Sequence, residues 1–305
     1  MTAREEDGTT PLHLASQHGC VDLVRFLVEH GADVTAQDKN GVTPLHRASF
    51  NGSVDLTRFL VGHGADPMVR DRLGSTQLHQ ASRGGHVDLV RFFVKHGADV
   101  TAPDEHGTTA LHLASRIGPL DLVQFLVEHG ADVTTPDGHG TTPLHWASLK
   151  GHWDLARFFV DHGATTGARD KHGSTPLHRA SLNGHLAVAW FLVDHGADVK
   201  TQNKHGSTPL HLASLNGHID LARFLVEHGA EVTTCDKHGL TPLHHVSRKG
   251  HRLLAKFLIE HGADSTVPDR NGSTPMDRAS VNGHVDLARL LVEQRANAPA
   301  LATLY

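Results

Sequence analysis

The chain has 305 residues, 38% of them hydrophobic and 20% charged, with a formal net charge of −5 at pH 7. That balance excludes a disordered chain and suits one that buries a core, and it gives no general attraction to nucleic acid. Apolar runs such as Phe26-Leu27-Val28 fall far short of the ~20 residues of a bilayer span, and Met1-Thr2-Ala3-Arg4-Glu5-Glu6-Asp7 is not an apolar leader.

A 33-residue unit laid end to end nine times accounts for 297 of the residues, with four left on either side. Self-similarity at a fixed period marks a stacked array. The expected organisation is one array over residues 1–305, with repeats 5–37, 38–70, 71–103, 104–136, 137–169, 170–202, 203–235, 236–268 and 269–301. Of 30 glycines, 26 fall in three periodic slots, beginning at Gly8, Gly19 and Gly31, so they read as turn glycines. Cys20 and Cys235 lie six or seven repeats apart. In a linear stack they cannot meet, which favours a reducing, intracellular setting, cytoplasmic or nuclear.

The elements follow in order within each unit, as the seventh copy shows. Asn203-Lys204-His205-Gly206 is a tight turn. Thr208-Pro209 starts a helix, with Thr as N-cap and Pro at the first helical position. Leu210, Ala213 and Ser214 share one face of that helix, which Gly217 ends. A second helix follows with Ile219, Leu221, Ala222, Leu225 and Val226 inward and Gly229 as its stop.

The recurring Thr-Pro-Leu-His-x-Ala, then Gly-His and Gly-Ala-Asp, resembles the ankyrin repeat. It stands as Thr43-Pro44-Leu45-His46-Arg47-Ala48 and Thr142-Pro143-Leu144-His145-Trp146-Ala147, and as Thr241-Pro242-Leu243-His244-His245-Val246 with Val for Ala. The near-identical copies, with Phe-Leu-Val-x-His-Gly-Ala-Asp, are similar to long fungal-type ankyrin arrays. The resemblance implies an all-α solenoid of stacked helix-turn-helix units joined by β-turn or hairpin loops. Its function is less defined, because the family is known by its scaffold. Gln77 and Ala110 replace the helix-starting Pro and should loosen two helix starts. Pro119 takes a slot that most copies give to His. The ninth unit, with Met276-Asp277 and Gln294-Arg295-Ala296, departs as a capping repeat would.

The 29 histidines suggest metal until they are sorted. Nearly all fall in four periodic slots, beginning at His13, His30, His86 and His106. Equivalent residues of neighbouring repeats stand about 8–10 Å apart, whereas zinc draws its nitrogen ligands to about 2.0–2.1 Å. Most of these imidazoles therefore read as hydrogen-bond bridges between turns, and no metal or cofactor is expected. Asp22, Asp88, Asp154 and Asp220 open the second helices, where a carboxylate complements the helix dipole. Arg25/Glu29, Arg157/Asp161, Arg223/Glu227, Lys256/Glu260 and Arg289/Glu293 read as i, i+4 ion pairs on an exposed face. No catalytic constellation appears, so the chain reads as a non-enzyme.

Positions that vary while the scaffold repeats are those the scaffold leaves free. The slot after the repeated His, and those three and four residues beyond it, share one helix face. In ankyrin repeats this face and the turn tips line the concave groove. Here it carries basic residues and side chains expected to be exposed: Phe50, Ile117, Trp146, Leu149 and Leu182. With Arg83, Arg116, Lys150, Lys171 and Arg179 they form the candidate partner site, since apolar residues rimmed by polar ones mark interaction surfaces and Trp and Arg are enriched at hot spots. The centre is expected around Ile117, Trp146, Leu149, Lys150, Arg179 and Leu182. The partner implied is a protein or peptide with acidic and apolar groups, bound by a monomer. Nucleic acid or another polyanion is the alternative, disfavoured by only about one tip-facing Lys or Arg per repeat. A structural or engineered array without a dedicated partner is a further one.

Overall fold

In the computed structural model, residues 4–297 are described, with side chains through residue 294. The last residues of the ninth repeat, 298–301, lie outside that range. Every described element is an α-helix or a turn, and no strand occurs among the described residues. The first helices of the units are α1 Pro11–Gln17, α3 Pro44–Asn51, α5 Gln77–Gly84, α7 Ala110–Ile117, α9 Pro143–Lys150, α11 Pro176–Asn183, α13 Pro209–Leu215, α15 Pro242–Lys249 and α17 Pro275–Val281. The second helices are α2 Val21–Glu29, α4 Val54–Gly62, α6 Val87–Lys95, α8 Leu120–Glu128, α10 Trp153–Asp161, α12 Leu186–Asp194, α14 Ile219–Glu227, α16 Arg252–Glu260 and α18 Val285–Asn297. The chain divides into two compact units, Met1–Ala147 with Phe158–Ala164, and Ser148–Arg157 with Thr165–Tyr305. Each is a stack of helix pairs.

The caps explain where the helices begin. In α1 the Thr10 hydroxyl accepts from the His13 N–H, and the His13 ring returns to the Thr10 N–H. This is a capping box in which His stands where Glu or Gln is usual, and it recurs with Thr43/His46, Thr175/His178 and Thr208/His211. The box also forms at Thr76/His79 and Thr109/His112. Gln77 and Ala110 therefore begin their helices at the usual place. In the ninth unit Asp277 takes the His role, its carboxylate 2.8 Å from the Thr274 N–H.

Turns end the helices. The 26 glycines of the three slots are the ones with positive φ, while Gly62, Gly84, Gly138 and Gly167 are not among them. Gly184 shows why the residue type is fixed: φ is +75°, and a β-carbon there would stand 2.5 Å from His218 Nδ1.

The histidines join neighbouring repeats. His13 Nε2 lies 2.9 Å from the Val42 carbonyl, 29 residues ahead, and the same forward bridge runs from His112 to Thr141 and from His178 to Ser207. Because Nδ1 already accepts from the capping threonine N–H, Nε2 carries the proton and donates. A second row reaches back: His86, His185, His218 and His284 contact the carbonyls of Phe50, Leu149, Leu182 and Arg248. The third row, from His30, instead closes its own helix, with Nδ1 2.7 Å from the Phe26 carbonyl. The bridge reading holds for two rows and is corrected to a local helix stop for the third.

Apolar faces complete each stack. Leu210, Ala213 and Ser214 are fully buried, as are Leu221, Ala222 and Leu225. Ile219 and Val226 are half-buried. Two of the outer arginines make a contact the i, i+4 pattern did not anticipate. Arg25 and Arg223 lie over the rings of Phe59 and Phe257 in the following repeats, at 5.2 and 4.8 Å, so they cap an aromatic edge as cations over π faces. Lys256 and Glu260 do form the expected i, i+4 pair, at 3.7 Å.

Candidate partner-binding face

The turns set the electrostatics of the first-helix face. In most turns one aspartate oxygen accepts backbone N–H groups, a role Asn203 takes in the seventh; Asp38 Oδ1 takes those of Asn40 and Val42. Its other oxygen faces the helix nine residues on, where Arg47 Nη2 approaches to 3.3 Å. Arg179 pairs with Asp170 in the same way and Arg278 with Asp269. His245 occupies that slot opposite Asp236 at 3.7 Å. The basic stripe is thus partly neutralised from beneath, a pairing the sequence reading missed. A constant separation of nine between turn Asp and helix Arg is the signal that could have found it.

In the first unit the face forms a depression of about 280 Å³ lined by Gln17, Val42, His46, Arg47, Phe50, Gln80 and Arg83. Phe50 is 51% exposed at its wall. Arg83 is half-buried, and its Nε lies buried with no protein acceptor. The structure therefore brings Phe50 and Arg83 together. It also brings Arg116 to Trp146, with the guanidinium carbon 5.9 Å from the ring centroid. Ile117 is exposed at the end of α7.

In the second unit Lys150 and Lys171 are exposed, and Arg179 is half-buried against Asp170. The Leu149 carbonyl accepts from Asn183 Nδ2 at 2.7 Å and the Leu182 carbonyl from Asn216 Nδ2 at 2.8 Å. These bonds pin the helix ends. Trp146, Leu149 and Leu182 are half-buried, whereas exposure was expected. Helix-end asparagines and the back-reaching histidines account for this in the two leucines, since both bring the next repeat close. Trp153 packs edge-on against Phe191 at 6.2 Å, and Trp190 is 53% exposed on a second helix.

Burial governs the inner imidazoles. His178 is pushed down to about 4, mainly by desolvation, with Arg169 adding to it. His46, His79 and His211 are lowered for the same first reason. Neutral rings bonded on both nitrogens have no lone pair left for a ligand. Among the described residues, no three His, Cys, Asp or Glu converge as a metal site would need. Cys20 and Cys235 are exposed and unpaired, and no described helix is long and apolar enough to cross a membrane.

The family model for ankyrin repeats (3 copies) matches residues 1–71, 63–137, 134–203 and 230–300. The model for ankyrin repeats (many copies) matches residues 192–246. No curated protein matches the chain. Ankyrin repeats generally serve as protein–protein interaction modules. With nearly its whole length matched and a helix pair in every period, the chain belongs to the ankyrin repeat family.

Proposed function

We propose that the chain is a non-catalytic scaffold whose first-helix groove takes a peptide or partner domain with acidic and apolar groups. Its nine repeats over residues 1–305 act as one monomeric array in a reducing intracellular compartment. The observation that carries this is cation and aromatic together on one face: Arg83 and Phe50 line one depression, and Arg116 lies over Trp146. An aromatic anchor offers area for desolvation, while an adjoining guanidinium selects a carboxylate. In the second unit Lys150, Lys171, Arg179, Leu149 and Leu182 are assigned the same role, the lysines steering and the leucines packing. The two unpaired cysteines support the compartment. Polyanion binding is the weaker reading, because Arg47, Arg179 and Arg278 are already engaged by aspartates.

The test uses peptides selected from a random display library on the full chain. Trp146→Ala should weaken them at least about tenfold, or roughly 1.4 kcal/mol, with helicity and melting nearly unchanged. Arg157→Ala, on a second helix, should leave both binding and melting unchanged. Selected peptides rich in lysine, or unaffected by Trp146→Ala, would defeat the proposal.

A further inference from the structure

The second helices carry an exposed acidic residue in one slot, just before the stop histidine at Glu29, Glu128, Asp161, Asp194, Glu227 and Glu260 and before Gln294 at Glu293. Two adjacent repeats break the pattern, with Gly62 in the second and Lys95 in the third. The charge of this slot therefore vanishes and then inverts, and only there. Four residues earlier stand Arg58 and Arg91, both exposed. An open hollow of about 610 Å³ lies among Val54, Arg58, Asp88, Arg91, Phe92, Lys95 and His96. Arg58, Arg91 and Lys95 line it together with one carboxylate, Asp88, beside half-buried Phe92 and Val54. The Arg91 guanidinium lies over the Phe125 ring of the fourth repeat at 4.6 Å, so its charge sits at that edge of the hollow. Glu29 and Glu128 bound the patch on either side, in the first and fourth repeats.

We infer that this outer-face hollow is a second docking site, separate from the first-helix groove, for a short acidic helical segment of a partner protein. Spacing selects the occupant. Arg91 and Lys95 are one helical turn apart, about 5–6 Å, and Arg58 stands on the neighbouring helix, about 8–10 Å away. A single phosphate cannot span such a triangle, whereas carboxylates on successive turns of a helix match it. Apolar side chains of that segment would lie on Phe92 and Val54. The flanking Glu29 and Glu128 repel anything acidic that extends further, so the segment is limited to a few turns. Specificity arises from repulsion outside the site as well as attraction within it.

The variants that test this restore the slot's ordinary charge. Gly62→Glu and Lys95→Glu lie on an exposed face, and a β-carbon at Gly62 meets nothing within 4 Å, so folding should be unaffected. The probe is a fluorescein-labelled, capped helical peptide with glutamates at i and i+4 and leucines between them. The full chain should bind it with an affinity that falls steeply with salt, and a glutamine version should fail to bind. Each of the two substitutions should weaken binding at least tenfold at unchanged melting temperature, and Trp146→Ala should leave it unaltered. Equal binding to Lys95→Glu, no binding to the wild-type chain, or competition by millimolar inorganic phosphate would overturn the inference. Loss of binding with Trp146→Ala would likewise place the probe in the groove.

Discussion

Lowering the pH from neutral to about 4.5 is expected to unfold the chain, with stability starting to fall near the ordinary histidine value of about 6.5. The inner histidines His13, His46, His79, His112, His178, His211 and His244 all titrate below their usual value, burial being the first cause in each. Their Nδ1 atoms accept threonine N–H groups, as at Thr175 and His178, so a second proton has nowhere to go while the cap is intact. A folded value below the unfolded one means that the folded state resists protonation. The stabilisation is complete above the unfolded value and is lost as pH falls toward the folded value. For His178, lowered from 6.5 to about 4, the loss amounts to about 3 kcal/mol at 1.36 kcal/mol per unit. Seven sites act in the same direction in a protein whose total stability is of order 5–15 kcal/mol. Carboxylates such as Asp277, held low by the Thr274 N–H, add a further loss only below about pH 4. Urea midpoints should decline steadily below about pH 6.5, and a midpoint level down to pH 4.5 would show that the imidazoles do not tie the repeats together.

Ala213→Asp is expected to destabilise its neighbourhood by at least about 4 kcal/mol. Ala213 is fully buried where α13 packs between α11 and α15. The larger side chain overpacks the interface, at about 1–3 kcal/mol, and its carboxylate is left without a partner, at a few more. In repeat proteins stability is a sum of unit and neighbour terms, so the damage stays local. Hydrogen exchange should lose protection across α11 to α15 while α1 to α5 keep theirs. Unchanged protection at α13 would mean that the substituted side chain escapes to solvent.

Much of this architecture is legible from residue order because the fold is local. Thr-Pro marks each helix start, and glycine is the residue that tolerates positive φ, so one 33-residue period predicts the next. Contacts between periods are less legible. The capping role of His13 was not apparent, since its partner Thr10 is three residues back and Glu or Gln is the usual signal. The Arg25–Phe59 contact was missed because an i, i+4 glutamate was the nearer partner along the chain. Exposure of Trp146 was misjudged for a similar reason: helix phase says which face a residue is on, not how closely Arg116 lies against it. Phe50, Ile117, Lys150 and Lys171 are exposed as their spacing implied, and Arg179 is on the expected face but committed to Asp170.

The three tryptophans give the most direct test of recognition at the first-helix face. Trp146 alone sits on a first helix, and Trp153 and Trp190 sit on second helices, so three indole N–H resonances report on different surfaces. Titrating the isotopically labelled chain with a display-selected acidic peptide should shift or broaden the Trp146 signal at substoichiometric amounts. The Trp153 and Trp190 signals should stay in place. Movement of Trp153 or Trp190 with Trp146 unmoved would put the binding surface on the other helices and contradict the account.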